Sequence, residues 1–557
     1  MEKIWLKNWP KSMPKELVYP HGKVPIHEYL KINAKKNPDK KAIVFYGKEI
    51  SYKELNESSN RFANYLINNG IKKGDRVGIF MGNCPQYIIA HFGIQKMGGV
   101  VCPINPMFKE MELKYQIGDA GMSVIVTLDI NYSTIKNVID QLPTVKKVVC
   151  TNFNDYLPKE PTMPLIDYMK KKPMSIEGTD SFSNIIEFGD STLPEIEVKM
   201  DDLALLGYTG GSSGLPKGAM HSHTSHLFKP LAFSYVRELK EDSIVVTPMP
   251  YFHIAGMDCM LGNIIVGCTS ICVTQFEPTA VLTAIDKYKA TNMYTAVPMN
   301  VYMMKHPNIN NYNLTSLKVN LTSSFVITLN EEISKKWKKI TNGCVLIEAA
   351  YGLSETHTAD TFMPKHLVKY GSVGIPIYDT DIKILDINDK TNEVDIGEQG
   401  EIAVKTPGLM VGYWNKEEAT KQAMIDGFLL TGDIGKFDEN GYLYWLGRLK
   451  EMIKVSGHSV FPEEVEALLN QHPDVEESAV IPVKDEKKGE VVKAFIITKE
   501  DKKGLVDEKE LILWAKDNMT PHKAPVYVEF RDELPKSGVK LLRRVLRDEE
   551  NKKEKVK

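Results

Sequence analysis

Apolar runs alternate with amphipathic helical stretches through the first two-thirds of this chain, and that rhythm restricts the fold more than any other feature. Ala42–Tyr46 reads as a strand, Tyr52–Asn69 as an amphipathic helix, Arg76–Met81 as a strand and Gln86–Met97 as a helix. Val124–Leu128, Leu203–Tyr208, Ile244–Pro248 and Ile264–Val273 continue the strand series. Strand–helix–strand units build parallel sheets, so a layered α/β architecture is expected. At 557 residues the chain exceeds what one core organises, and at least two domains follow.

From Gly371 the texture changes to short strands separated by polar turns: Asp381–Asp386, Gly400–Lys405 and Gly441–Trp445. The turn Asp438-Glu-Asn-Gly441 is a hairpin signal. After Gly447, strands Ser478–Val483 and Val491–Thr498, helix Asp507–Asn518 and strand Val526–Arg531 make a piece the size of a small α+β domain.

Bulk properties exclude several classes of function. Basic and acidic side chains number 70 and 72, a formal charge of −2, which gives no electrostatic case for a nucleic-acid partner or an anionic membrane. The seven cysteines are scattered without a CxxC pair, which reads as reduced core thiols in a cytoplasmic protein. The first residues lack the apolar core of a signal peptide. The most apolar stretch, Cys259–Val273, falls short of the roughly 20 residues that span a bilayer, so no membrane span is expected.

One segment carries chemistry. Tyr208-Thr-Gly-Gly-Ser-Ser-Gly-Leu-Pro-Lys-Gly218 follows an apolar strand. Gly210, Gly211 and Gly214 let backbone N–H groups approach a polyphosphate, Thr209, Ser212 and Ser213 add donors, and Lys217 adds positive charge. It is not a Walker A loop, because Pro216 rather than glycine precedes Lys217.

The loop resembles the signature of the acyl-adenylate-forming superfamily, and further motifs of that family follow in order. They are Tyr351-Gly-Leu-Ser-Glu-Thr356, Leu430-Thr-Gly-Asp433, and Gly447-Arg-Leu-Lys-Glu-Met-Ile-Lys-Val-Ser-Gly457 running on to Phe461-Pro-Glu-Glu-Val-Glu466. Ile50-Ser-Tyr-Lys-Glu-Leu55 and Lys73-Gly-Asp-Arg-Val77 extend the resemblance toward the N-terminus. It implies an α/β fold: a large N-terminal domain (1–447) of two α/β layered subdomains plus a β-rich subdomain (about 371–447), and a small mobile α+β C-terminal domain (448–557).

The implied activity is that of an acyl-CoA synthetase (AMP-forming), which uses ATP, CoA and Mg²⁺ on a small carboxylic acid. Attack of the carboxylate on the α-phosphate calls for positioning and positive charge. The resemblance makes Glu355, with Thr209, the Mg²⁺ site, places Ser354 near the phosphates, and gives Asp433 the ribose hydroxyls with Arg448 beside it. Tyr351, flanked by Ala350 and Gly352, offers a face for adenine, and Ser324 and Phe325 approach the same base. The hinge between two C-terminal orientations maps to Lys450, and Gly457 would line the pantetheine tunnel. His253 falls where relatives place an aromatic or histidine beside the acyl pocket.

Two segments depart from the family pattern. Pro535-Lys-Ser-Gly-Val-Lys540-Leu-Leu-Arg-Arg544 is one residue short around the adenylation lysine, and alignment from the arginine pair selects Lys540 over Lys536. Leu321-Thr-Ser-Ser-Phe-Val326 replaces a glycine-rich stretch, so Ser323 and Ser324 add polarity and Phe325 bulk. Gly352 stands where acetate-specific relatives carry a tryptophan. A short- or medium-chain fatty acid, with a hydroxyl tolerated, is therefore expected. Three alternatives stay open: an acyl-AMP ligase serving another acceptor, a luciferase-type oxygenase, and a non-catalytic nucleotide or acyl-CoA binding homologue. Assembly as a homo-oligomer is also left open.

Overall fold

The computed structural model describes residues 3–209, 215–324, 327–455, 458–485, 489–537 and 540–556. The strand–helix rhythm resolves into two large sheets. In one, strands Leu346–Glu348, Val319–Ser323, Asn292–Ala296, Ile244–Thr247, Thr269–Cys272 and Lys41–Phe45 lie parallel in that order, with Lys48–Ser51 closing the edge antiparallel. In the other, Val100–Pro103, Arg76–Phe80, Val124–Leu128 and Lys147–Thr151 run parallel to Leu203–Thr209, whose far neighbour Lys217–Ser222 is antiparallel.

Local signals fix the connecting helices. Helix Tyr52–Asn68 begins at a capping box in which Glu54 N–H donates to Ser51 Oγ at 3.1 Å and Ser51 N–H to Glu54 Oε2 at 2.7 Å. Helix Pro85–Lys96 is buried at every residue, as a helix sandwiched in a core must be. One continuous apolar core, including Val44, Phe62, Val77, Ile89, Val246 and Ile271, joins the two sheets.

One expected strand divides in two. Of Ile264–Val273, the first residues finish helix Ile254–Val266, Gly267 turns left-handed at φ +82°, and only Thr269–Cys272 is strand. The glycine stops the helix because its N–H caps Asn263 O at 3.0 Å in a conformation other residues resist.

The later chain is antiparallel. Asp381–Leu385, Gly400–Lys405, Phe428–Phe437 and Leu443–Arg448 form one sheet, with Gly441 at φ +78° in the expected hairpin turn. Beyond it, Val475–Asp485, Gly489–Thr498 and Ile453–Val455 form a separate sheet that Tyr527–Phe530 joins. This sheet packs on its own cluster of Val465, Val480, Val492 and Leu511. No described helix is long and apolar enough to cross a membrane, and all seven cysteines are free thiols.

The topology places the site. Thr209, Ser323 and Glu348 each end a strand of a largely parallel sheet at its carboxyl end, where open α/β sheets leave a crevice for ligands.

Candidate active site

The glycine-rich segment is the connection of a β-hairpin: Thr209 pairs with Lys217 and Tyr208 with Gly218 across antiparallel strands. A Cβ at Gly218 would meet Leu206 Cδ1 at 2.8 Å, so any larger residue there would have to displace that side chain. Tyr115 Oη holds the exit of the loop by donating to Pro216 O at 2.8 Å. Lys217 Nζ lies 4.5 Å from the Tyr413 ring centre, and Tyr413 Oη donates to Glu355 Oε1 at 2.8 Å. Burial first, and the Glu355 charge second, raise the Tyr413 phenol far above its ordinary range, so it stays a neutral donor. Lysine, phenol and carboxylate thus form one chain at the mouth of the hairpin.

A second group gathers on the antiparallel sheet. Asp433 and Arg448 are register partners in neighbouring strands, and Arg448 Nε lies 2.9 Å from Asp433 Oδ1. Tyr351 Oη donates to the other carboxylate oxygen at 2.7 Å. Gly432, at φ +68°, lets the strand turn so that Asp433 N–H reaches Thr431 Oγ1 at 3.1 Å. Asp433 is 1% exposed, and burial raises its carboxyl above the usual range although Arg448 pulls the other way. The arrangement holds a desolvated acceptor beside a half-exposed guanidinium.

Two further polar pairs lie at the ends of the first sheet's strands, one buried and one part-buried. Ser323 Oγ and Tyr294 Oη hydrogen-bond at 2.7 Å. Ser324 donates to Glu348 through N–H at 3.0 Å and Oγ at 2.5 Å, and Leu329 N–H donates to Ser324 Oγ at 3.0 Å. Burial outweighs the Ser324 bonds and pushes the Glu348 carboxyl up to about 7.

The sequence profile of the AMP-binding enzymes matches residues 30–414, and that of the AMP-binding enzyme C-terminal domain matches 464–540. The chain belongs to the AMP-binding enzyme family. It is 36% identical over 575 residues to a long-chain-fatty-acid–CoA ligase of Bacillus subtilis, covering 100% of both chains. A long-chain-fatty-acid–CoA ligase of Salmonella typhimurium is 34% identical, covering 99% of this chain and 98% of its own. Among solved structures, ATP-bound MatB from Rhodopseudomonas palustris superposes with a TM-score of 0.81 at 26% identity, covering 94% of this chain and 99% of its own. A Mycobacterium tuberculosis fatty acyl CoA synthetase gives a TM-score of 0.73 at 26% identity, covering 94% and 98%.

Within this AMP-binding enzyme, the structure brings together Thr209, Lys217 and Glu355 at one end and Tyr351, Asp433 and Arg448 at the other. Ser354 lies in the same short 3₁₀ turn as Glu355, and its carbonyl is hydrogen-bonded by His221 Nε2 at 2.7 Å. Ala350 is half-buried against the main core. Gly210, Gly211, Ser212, Ser213, Gly214, Phe325 and Gly457 lie outside the described residues, as does the Lys540 side chain.

Three expectations gain a different local explanation. His253 is exposed and caps helix Ile254–Val266, Nδ1 accepting from Ala255 N–H at 3.3 Å. The hydroxyls of Ser323 and Ser324 are already engaged by Tyr294 and Glu348. At Gly352 a Cβ would meet Ala359 N at 2.5 Å and Thr358 C at 2.6 Å, so close backbone approach already requires the glycine.

At the hinge block, Lys450 is exposed in a 3₁₀ turn, Leu449–Glu451. Arg543 binds the neighbouring Glu451 at 2.5 Å, together with Glu463 at 2.7 Å and Glu466 at 2.5 Å. Three carboxylates around one guanidinium exceed its charge, and burial with that repulsion pushes Glu463 up to about 8 against the pull of Arg543. Strand Lys540–Leu541 pairs with Lys536–Ser537, and Lys536 Nζ is ion-paired to Glu477 at 2.6 Å.

Sequence reading passed over Tyr413, Glu348 and a set of buried histidines. Each sits far along the chain from the group it touches, and no local pattern marks it. The cluster of His221, His223 and His226 after the loop was the one available signal.

Proposed function

We propose that this enzyme is an ATP-dependent carboxylic acid:CoA ligase that makes acyl-AMP and then the acyl-thioester. The observation that carries the reading is a pair of polar groups, Lys217–Tyr413–Glu355 and Tyr351–Asp433–Arg448, linked by the short segment from Tyr351 to Glu355 in an AMP-binding enzyme. We lay the nucleotide across them, ribose on the carboxylate clamp and phosphates toward Lys217.

In the first step the carboxylate oxygen attacks the α-phosphorus of ATP, the P–O bond to pyrophosphate breaks, and acyl-AMP forms. Lys217, with the hairpin donors, takes the β- and γ-phosphates as negative charge moves onto the leaving group. Asp433 accepts from the ribose hydroxyls, and Arg448 offsets part of the cost of burying that carboxylate. Tyr351 bonds Asp433 through its hydroxyl and gives its ring to adenine. Lys540, carried by the C-terminal domain, is assigned to the acyl and phosphate oxygens; the ion pair that occupies Lys536 supports this choice. In the second step the CoA thiol, losing its proton, attacks the acyl carbon and AMP leaves. Rotation about Lys450 is proposed to bring the segment around Gly457 to the pantetheine, with 1–447 as the fixed domain and 448–557 as the moving one.

Glu355 fits a hard divalent cation: it is a half-buried carboxylate with Tyr413 on one oxygen, beside the proposed phosphate site. No group of three or more cation-ligating side chains occurs among the described residues, as suits an ion that arrives largely coordinated by ATP. When bound there, Mg²⁺ supplies charge neutralisation of the phosphates.

For the acid we propose an unbranched fatty acid of medium or long chain. The grounds for a short, hydroxylated acid have weakened, since Ser323, Ser324 and Gly352 are accounted for by internal contacts. Relatives matched over nearly their whole length are named long-chain-fatty-acid–CoA ligases. Pyrophosphate release over a panel of straight-chain acids from acetate to long-chain fatty acids, with and without CoA, tests the proposal, since a hydrophobic pocket grades acids methylene by methylene. Pyrophosphate with the longer acids and AMP release that requires CoA are expected. CoA-independent turnover, or a profile peaking at acetate, refutes it.

A further inference from the structure

Directly after Glu355 the backbone enters a conformation that side chains disfavour. His357, Thr358 and Ala359 have φ of +59°, +56° and +47°, three consecutive non-glycine residues in the left-handed region. Each carries a steric penalty, and such residues persist only where their surroundings over-determine them.

The surroundings here are a fully buried polar network. Lys229, on helix His223–Val236, donates Nζ to Ala359 O at 3.0 Å and to Asp360 Oδ1 at 2.6 Å. The other Asp360 oxygen accepts from Thr356 Oγ1 at 2.5 Å. One ammonium therefore grips the turn on both sides of the strained residues: directly at residue 359, and through Asp360 at residue 356, beside Glu355. From the same helix His226 Nδ1 meets His357 Nε2 at 2.8 Å, while His357 Nδ1 lies 2.9 Å from Asp258 Oδ1. Lys229, Asp360, His226, His357 and Asp258 are all 0% exposed. The fit is close on the far side too: a Cβ at Gly408 would meet Lys229 Cε at 2.3 Å and Thr356 O at 2.7 Å.

A buried ion pair is a poor device for stability alone, since apolar replacements of similar volume often serve as well. Its geometric effect is specific: it fixes the backbone that carries Glu355. We infer that Lys229 and Asp360 are positioning residues for adenylation, holding the left-handed turn that aims Glu355 at the nucleotide's cation. This rests on the Glu355 assignment proposed above.

The test replaces both charges together, so that neither is left buried alone: Lys229→Met with Asp360→Leu in the full-length chain. Melting temperature and circular dichroism establish folding. Acyl-AMP formation is followed by pyrophosphate release at varied Mg²⁺ and ATP, and thioester formation is followed from supplied acyl-AMP. The folded variant should lose about 100-fold in the adenylation kcat, the scale of a 1 Å misplacement. Its Mg²⁺ dependence should move to higher concentration, with thioester formation unchanged. Adding Thr358→Gly and Ala359→Gly should restore at least about tenfold, because glycine removes the penalty the network holds in check.

A folded variant with wild-type adenylation and Mg²⁺ dependence overturns the inference. Should the double variant not fold, Thr356→Val removes the hydroxyl that links the turn to Asp360 and also accepts from Leu353 N–H at 3.2 Å, and Thr356→Ser, which keeps both bonds, serves as its control. Thr356→Val should shift the Mg²⁺ dependence in the same direction, and an unchanged profile counts equally against the inference. Glu355→Gln separates the two claims. If that variant adenylates normally, the Glu355 assignment fails; if it is impaired while the network variants are not, only the positioning role fails.

Discussion

Replacing Asp433 with asparagine removes one charge and almost no volume at the proposed ribose clamp. In the free protein the carboxylate is bound by Tyr351 at 2.7 Å and Arg448 at 2.9 Å and is 1% exposed. A hydrogen bond to a charged acceptor contributes about 1.5–3 kcal/mol and one to a neutral acceptor about 0.5–1.5 kcal/mol. Two ribose hydroxyls donating to an amide oxygen instead of a carboxylate thus lose about 2–3 kcal/mol in all. That corresponds to roughly 30- to 150-fold weaker ATP binding. Isothermal titration with ATP and with 2′,3′-dideoxy-ATP separates this from general damage. The wild-type protein should discriminate strongly between the two ligands, and Asp433→Asn should discriminate roughly 30- to 150-fold less, its affinity for dideoxy-ATP changing little. Melting temperature should fall modestly, because the amide presents one acceptor where Tyr351 and Arg448 now use both carboxylate oxygens; the loss for dideoxy-ATP reports that general effect. If the variant loses the same factor toward dideoxy-ATP as toward ATP, Asp433 does not contact the ribose and the clamp is misassigned.

The remaining predictions concern the two half-reactions and pH. Lys540→Ala should block acyl-AMP formation while sparing thioester formation from supplied acyl-AMP; normal adenylation by it, with Lys536→Ala inactive, reverses the choice of lysine. Lys217→Met should raise the KM for ATP by at least about tenfold, the size of one lost charge-assisted contact, and a KM unchanged in steady-state assays argues against phosphate binding. Glu348, raised to about 7 by burial, keeps its proton in the folded state after the unfolded chain has lost it. Its contribution to stability is therefore present below about pH 4.5 and lost as pH rises to about 7, on the order of 3 kcal/mol in full. Glu348→Gln should accordingly flatten the decline in urea-unfolding free energy across that window, and identical slopes for both proteins exclude the buried proton.

Local pattern was enough wherever a physical requirement repeats over neighbouring residues. The period of apolar positions identified about half of the parallel strands, passing over Val100–Pro103, Lys147–Thr151, Asn292–Ala296, Val319–Ser323 and Leu346–Glu348, and it identified the helix from Tyr52, whose Ser51–Glu54 cap is itself a local signal. It failed at Ile264–Val273, where an apolar run belongs to a helix and a strand and only Gly267 marks the break. It also passed over Phe428–Phe437, because Thr431, Gly432 and Asp433 interrupt its apolar pattern. The glycine-rich segment and the ordered motifs were legible because each is a run of adjacent residues whose types alone carry the family resemblance. Tertiary structure alone decided the partners. Tyr413 lies between Lys217 and Glu355 only because the edge strand Gly412–Tyr413 joins the second sheet beside Lys217–Ser222. Lys229 reaches the strained turn at His357–Ala359 only because its helix packs beneath that turn in the closed core. The sequence by itself determined the family, an AMP-binding enzyme, and the motifs on which a nucleotide site is proposed. Which buried charges hold the binding groups in place depended on packing, since the energy of a desolvated pair is set by distances between elements that no local pattern encodes.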